Sequence, residues 1–264
     1  MKIAYIGIDL FLPALEALLA EGCEVTELFT CRTDNLTEFN TGITALAERR
    51  GIPYTMERIT AADFARLQAD GCEMAVSAGY YYKIPVVPGV PTVNIHPSLL
   101  PYGRGGWPMP LDILECRRTS GVTVHKIAEG FDTGDILLQR EFSLDARETL
   151  QTFMQKVYAL LPEMLHELVT DFSTLYTNAR PQGEGVYLPM PDKALYTFTP
   201  QTPFEQTDRL LRAFYGYDCY YRDGTDEYRL IGASASHEPE QGKACFPVAG
   251  GFAVCDRQGV TKMK

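Results

Sequence analysis

A chain of 264 residues, 45% hydrophobic and 22% charged, has the composition of a folded globular protein and suffices for one α/β domain with a small appendage. Its formal net charge of -10 opposes a protein that tracks a phosphate backbone, which needs a basic face and gains affinity by counterion release; the best basic runs, Arg49-Arg50 and Arg117-Arg118, are only dipeptides. The 7 cysteines show no CxxC pair and no Cys/His cluster at metal-ligand spacing, so they read as free thiols and no metal is expected.

Lys2 to Gly7 alternates as a strand does, and Phe11 to Ala20 carries apolar residues at helical spacing, closed by Gly22. The first residues lack the apolar run and cleavage site of a signal peptide, and no stretch of about twenty apolar residues suits a bilayer, so a cytoplasmic protein without membrane contact is expected. Val25 to Thr30 reads as a second strand, Ile43 to Arg50 and Ala61 to Ala69 as helices, and Met74 to Ser77 as a third strand. This alternation predicts an α/β fold: a doubly wound, mainly parallel sheet with helices on both faces and its active site at the carboxyl ends of the strands. The turn Gly7-Ile8-Asp9-Leu10-Phe11-Leu12 holds one glycine where a dinucleotide fingerprint needs three, and no GxxxxGK[ST] loop occurs, so neither phosphate cradle is expected.

Gln151 to Leu175 shows a long helical pattern with Phe153, Val157, Leu160, Leu161, Leu165 and Leu168 on one side, and Pro162 predicts a kink or break. Beyond Arg180 the texture changes to short strand-like runs, Gly185 to Leu188, Tyr228 to Ile231, Cys245 to Val248 and Phe252 to Cys255, interrupted by a helix from Pro203 to Phe214. A catalytic domain over residues 1–185 and a small β-rich module over 186–264 are expected.

The chemistry concentrates in Pro91-Thr92-Val93-Asn94-Ile95-His96-Pro97-Ser98-Leu99-Leu100-Pro101, followed by Gly121-Val122-Thr123-Val124-His125 and Gly130-Phe131-Asp132-Thr133-Gly134-Asp135-Ile136. Asn94 and His96 lie two apart in a strand and point to the same face, where both can serve a single oxygen, while Asp132 in a Gly-bracketed loop supplies a base or a histidine partner. An isolated Asn-X-His is more often a hydrogen-bonded turn, and a lone Asp in such a loop is ordinary turn chemistry. The combination, in this order and spacing, resembles the folate-dependent formyltransferase family, which includes enzymes acting on glycinamide ribonucleotide, methionyl-tRNA and nucleotide sugars.

The resemblance covers about residues 1 to 190 and implies a 10-formyltetrahydrofolate-dependent N-formyltransferase with Asn94, His96 and Asp132 as its catalytic residues. It implies donors, Asn94 and a protonated His96, where negative charge develops on the formyl oxygen, with Asp132 keeping His96 charged and helping to remove the proton of the attacking amine. It places Ala78, Gly79 and Tyr80 on one side of the pterin and Phe131, Asp132 and Asp135 on the other. His125 and Tyr81 are weaker candidates for the acceptor side or for support, since a strand histidine is more often structural and the run Tyr80-Tyr81-Tyr82 suits a strand in its own right. The C-terminal portion is similar to the OB-like modules of the tRNA and sugar enzymes.

For the acceptor, Thr30 to Glu38 is short and acidic to neutral where the tRNA enzyme carries a basic insertion, and residues 187 to 264 hold acidic and basic side chains in near balance. A small amine, an amino sugar nucleotide or an amino-acid-like metabolite, is therefore expected. A divergent methionyl-tRNA formyltransferase and a folate-binding or folate-hydrolysing protein are the alternatives, and the oligomeric state is open.

Overall fold

The computed structural model describes residues 1–263. Strand and helix alternate from the start: β1 (Lys2–Gly7), α1 (Leu12–Ala20), β2 (Glu24–Phe29), α2 (Thr41–Arg50), β3 (Tyr54–Thr55), α3 (Ala61–Ala69), β4 (Met74–Ala78) and β5 (Thr92–His96). A short β6 (Tyr102–Arg104) and α4 (Pro108–Leu114) come before β7 (Thr119–Lys126) and β8 (Ile136–Ser143), and then α5 (Leu150–Thr170), α6 (Phe172–Thr177) and β9 (Val186–Tyr187).

Seven of these strands form one sheet in the order β3-β2-β1-β4-β5-β7-β8. The pairs β1–β2, β2–β3, β1–β4 and β4–β5 are parallel, while β5–β7 is antiparallel, so the sheet is mainly parallel as expected. β4 is buried along its whole length and β1 at every residue but its first, the near-continuous apolar pattern that strands covered on both faces require. The strand order reverses between β1 and β4, and the crevice beyond the carboxyl ends at such a switch is where α/β sheets bind ligands.

The helix ends follow from local chemistry. α3 opens on a capping box in which the Thr60 hydroxyl accepts from the Asp63 amide and Asp63 reciprocates to the Thr60 amide, and α2 closes on Gly51 in the left-handed region at φ 67°. The first amides of α2 are satisfied from within: the Asp9 carboxylate accepts from Gly42 N and Ile43 N, each at 2.7 Å. The carboxylate provides the negative charge that the N-terminus of a helix favours. Beneath α3, Phe64 and Leu67 pack with Ala4, Ile6, Phe29, Ile59 and Ala75.

One sequence expectation needs correction. Pro162 lies inside α5 and neither ends the helix nor divides it; the interruption falls at Asp171, between α5 and α6. Pro162 is on the exposed side, while Phe153, Met154, Val157, Leu161, Met164, Leu165 and Leu168 are all buried and hold the helix together.

The chain divides into two compact units: Met1–Gly106 with Ser120–Phe142 and Lys156–Tyr187, and Trp107–Thr119 with Ser143–Gln155 and the residues from Leu188 onward. The second unit contains β10 (Thr197–Phe198), α7 (Phe204–Ala213), β11 (Asp218–Asp223), β12 (Asp226–Ile231), β13 (Ser234–Ser236), β14 (Ala244–Val248), β15 (Gly251–Cys255) and β16 (Val260–Lys262). They form a four-stranded sheet, β10-β11-β12-β16, and a three-stranded sheet, β13-β15-β14. Aromatic contacts unite this unit, with Trp107 against Phe214 and Tyr217, and Phe246 against Tyr221 and Tyr228. A cavity of about 530 Å³ in the same unit is lined by Arg117, Arg118, Arg147, Arg209 and Arg212 together with Asp145, Glu148, Glu205 and Asp208. Part of that charge is neutralised internally, since the buried Asp208 accepts from both Arg147 and Arg212.

Phe64 is 2% exposed within its cluster, so Phe64→Ala should cost about 3–5 kcal/mol and lower the urea midpoint of unfolding with little change in its slope. A midpoint equal to wild type would show that α3 is not a structural part of the core.

Candidate active site

β5 carries Asn94 and His96 on one face, and its two neighbours position their partners. Asn94 pairs with Ser77 on β4 and with His125 on β7, so the asparagine and the histidine stand directly opposite one another. Asn94 Nδ2 lies 3.2 Å from His125 Nε2 and 3.4 Å from Asp132 Oδ1. His125 Nε2 is itself 3.4 Å from Asp132 Oδ1, and His96 Nδ1 is 3.8 Å from that same oxygen. One carboxylate oxygen thus faces an amide and two imidazoles.

The segment after β5 is folded back on itself to complete the cluster. Ser98 N donates to His96 O, Ser98 Oγ to Tyr102 O at 3.0 Å, and Thr123 Oγ1 on β7 to Ser98 O at 2.6 Å, with a cis Leu100–Pro101 bond within the turn. This fold-back delivers Gly103 O to His96 Nε2 at 2.7 Å and Gly105 N to Asp132 Oδ2 at 2.9 Å. Gly105 adopts φ 120°, a conformation that side chains avoid, which explains the glycine beside the carboxylate.

Hydrogen-bond partners fix the tautomers. A carbonyl only accepts, so His96 donates from Nε2 to Gly103 O, and the Nδ1 of its neutral ring presents a lone pair toward Asp132. His125 donates from Nδ1 to Lys126 O at 2.8 Å; its Nε2 accepts from Asn94 when the ring is neutral and donates to Asp132 when it is charged.

Burial pushes the His96 pKa below its ordinary 6.5, and nearby His125 adds to this; the Asp132 charge and the Gly103 carbonyl oppose it without overcoming it. Burial of this 5% exposed imidazole therefore works against the protonated His96 that the resemblance implies. Burial also raises the Asp132 carboxyl, but the attraction of His96, hydrogen bonding and charge from His125 and the Gly105 amide hold it well below the usual carboxylate range. Asp132 remains ionised and is a weak base; the unprotonated Nδ1 of His96 beside it is the stronger proton acceptor.

A cleft of about 80 Å³ opens onto this cluster, lined by Ser77, Tyr80, Tyr82, Lys83, Ile84 and Asn94 from one stretch of chain and by His125, Ile127, Ala128, Gly130, Phe131 and Asp132 from another. Of the residues singled out in the sequence, Tyr80, Asn94, His125, Phe131 and Asp132 meet here. His96 does not line the cleft and is connected to it through Asp132, whose Oδ1 lies 3.8 Å from its Nδ1. Ala78 is buried at the end of β4, Gly79 follows it at φ 70°, Asp135 is engaged by Lys126 Nζ at 3.3 Å, and Tyr81 is 45% exposed; none of these four lines the cleft. Gly103, Gly105 and Gln182 escaped sequence reasoning. The run Tyr102-Gly103-Arg104-Gly105-Gly106 signals a turn without revealing what its amides and carbonyls face, and Gln182 carries no local pattern at all.

Residues 37–169, about half of the chain, match the family described as Formyl transferase. The methionyl-tRNA formyltransferase of Anaplasma marginale is 27% identical over 253 residues, 88% of this chain and 83% of that protein. Among solved structures, HypX from Aquifex aeolicus in complex with tetrahydrofolic acid aligns with a TM-score of 0.72 at 18% identity, over 100% of this chain and 46% of that longer one. A sugar N-formyltransferase from a Shewanella species aligns with a TM-score of 0.68 at 21% identity, over 91% of this chain and 99% of that one. These two structures share the α/β fold described above. On the family match, the chain belongs to the folate-dependent formyltransferases and is an enzyme of the N-formyltransferase kind.

Proposed function

We propose that this protein transfers a formyl group from 10-formyltetrahydrofolate to the amine of a small substrate, an amino sugar nucleotide or an amino-acid-like metabolite, with Asn94, His96 and Asp132 as catalytic residues within a domain spanning residues 1–185. The observation that carries this reading is the ionised Asp132 oxygen facing Asn94, His96 and His125 at the floor of the cleft.

The cleft suits the co-substrate chemically: Tyr80 and Phe131 offer aromatic faces, Ile84 and Ile127 apolar walls, and the polar cluster lies where a reacting group would point. Of the residues that the resemblance places around the pterin, Tyr80, Phe131 and Asp132 line the cleft and would hold it, while Ala78, Gly79 and Asp135 lie off its wall. The co-substrate supplies a formyl carbon on nitrogen that the acceptor amine attacks.

The amide of Asn94 donates toward the developing charge on the formyl oxygen, exchanging its long 3.4 Å bond to Asp132 for a shorter one. The proton the amine sheds passes by way of the Asp132 carboxylate, which lines the cleft, to His96 Nδ1 3.8 Å from it, and the imidazolium so formed is stabilised by Asp132 and by the Gly103 carbonyl until the proton returns by the same route to the departing nitrogen.

The small-amine reading rests on charge: net -10 and an acid-base balance in the C-terminal residues leave counterion release little to contribute. The tRNA reading is favoured by the match to a methionyl-tRNA formyltransferase along most of both chains. Incubation with 10-formyltetrahydrofolate and a panel of amino sugar nucleotides, amino acids and initiator methionyl-tRNA, with products read by mass spectrometry, separates them. Formylation of a small amine alone supports the first; formylated methionyl-tRNA establishes the second, and tetrahydrofolate release with every acceptor omitted points to hydrolysis.

His96→Ala and Asp132→Asn should each lower kcat by about 10²- to 10⁴-fold while the thermal midpoint stays near wild type. Wild-type turnover in either variant would remove the mechanism. The pH dependence has a definite sign. Because the folded pKa of His96 is lowered, the ring is neutral and able to accept a proton at pH 7, and protonation in acid removes the acceptor. The profile of kcat/KM should fall on the acid side of 6.5, at the same pH for two acceptor amines of different basicity. A limb that moves with the amine would belong to the substrate instead.

A further inference from the structure

We propose that Gln182 is a positioning residue for Asp132, clamping the backbone of the catalytic loop so that the carboxylate keeps its place among Asn94, His96 and His125. The inference rests on the proposed catalytic role of Asp132 and extends it to a residue outside the cleft.

Asp132 is one of three non-glycine residues in the left-handed region among the described residues, with φ 53°, so its backbone needs outside support. That support comes from one side chain. Gln182 Nε2 donates to Asp132 O at 2.9 Å and to Gly134 O at 2.5 Å, gripping the loop on both sides of Thr133. Gln182 Oε1 accepts from Arg104 Nε at 3.1 Å and from Arg104 Nη2 at 3.0 Å, and Arg104 Nη2 also donates to Gly183 O at 2.9 Å. A primary amide has two donor hydrogens and two acceptor lone pairs, and all four are used here.

The contacts close a ring. Arg104 is bonded in sequence to Gly105, whose N–H holds Asp132 Oδ2, so the aspartate is fixed at its carboxylate through Gly105 and at its carbonyl through Gln182, with the guanidinium joining the two. Substitutes for the glutamine fail in distinct ways. Glutamate would set an acceptor against two carbonyl oxygens, methionine would fill the same space with no donors, and alanine would leave both carbonyls and the guanidinium without this partner.

The test measures kcat, KM for 10-formyltetrahydrofolate and thermal midpoint for wild type, Gln182→Met, Gln182→Glu, Asp132→Asn and the double variant Asp132→Asn with Gln182→Met. Methionine preserves the packing volume, so loss of fold does not obscure the result. The expected outcome is a fall in kcat of at least about 10-fold for Gln182→Met, with KM changed by no more than about 3-fold, and a larger fall for Gln182→Glu. In the Asp132→Asn background the same substitution should cost nothing further, because the group being positioned is already disabled. Wild-type kcat in Gln182→Met, or an equal loss in both backgrounds, overturns the positioning role while leaving Asp132 catalytic. Wild-type kcat in Asp132→Asn overturns the catalytic reading and the inference with it.

Discussion

An ionised carboxylate in a largely buried place is the constraint around which the catalytic unit is arranged. Burial opposes charge on Asp132, and the Gly105 and Asn94 amides that donate to its two oxygens favour it, as does any positive charge on His96 or His125 beside them. These groups come from β5, β7 and the turn that follows β5, so the carboxylate is only as well placed as the sheet and the turns that bring them together. The same charge sets the character of its neighbours. His96 is kept neutral by burial yet has a counterion ready for the moment it takes a proton, which suits a group that must hold a proton briefly and return it.

The sheet provides the coarse placement and the loops the fine one. Parallel pairing of β4 with β5 brings Ser77 beside Asn94, and antiparallel pairing with β7 sets His125 directly opposite. Had β7 slipped by one residue, His125 would face the other side of the sheet. The turn from Pro97 to Gly105 then supplies what strands do not: a carbonyl to fix the His96 tautomer and an amide to hold the carboxylate. Strain at Asp132 is the local cost of turning its side chain inward, and the Gln182 contacts lie where that strain has to be absorbed.

Much of this was legible in the sequence. Period-two and helical patterns located β1, α1, β2, α2, α3 and β4, because each is a short element whose burial is nearly uniform along one face. Asn94 and His96 were legible as a same-face pair, and Asp132 through the motif it belongs to. Other features were hidden for physical reasons. Pro162 signals a break in any isolated helix, yet an exposed proline is tolerated on a helix anchored by a row of buried apolar residues. His125 looked like a strand histidine because its role depends on the register with β5, which is a property of pairing and not of its own neighbours. Gln182 was invisible for the same reason at longer range: its partners lie 50 and 78 residues away. The lowered pKa of His96 follows from burial depth, which spacing does not reveal.

Burial lowers the His96 pKa and the Asp132 charge partly offsets it, and titration of the histidine ring nitrogens by NMR in wild type and Asp132→Asn reads this balance directly. His96 should titrate below the ordinary imidazole value of 6.5 in wild type and lower still in Asp132→Asn, where burial acts without the opposing charge. A His96 that titrates at the same pH in both proteins, or at a higher one in the variant, would contradict it.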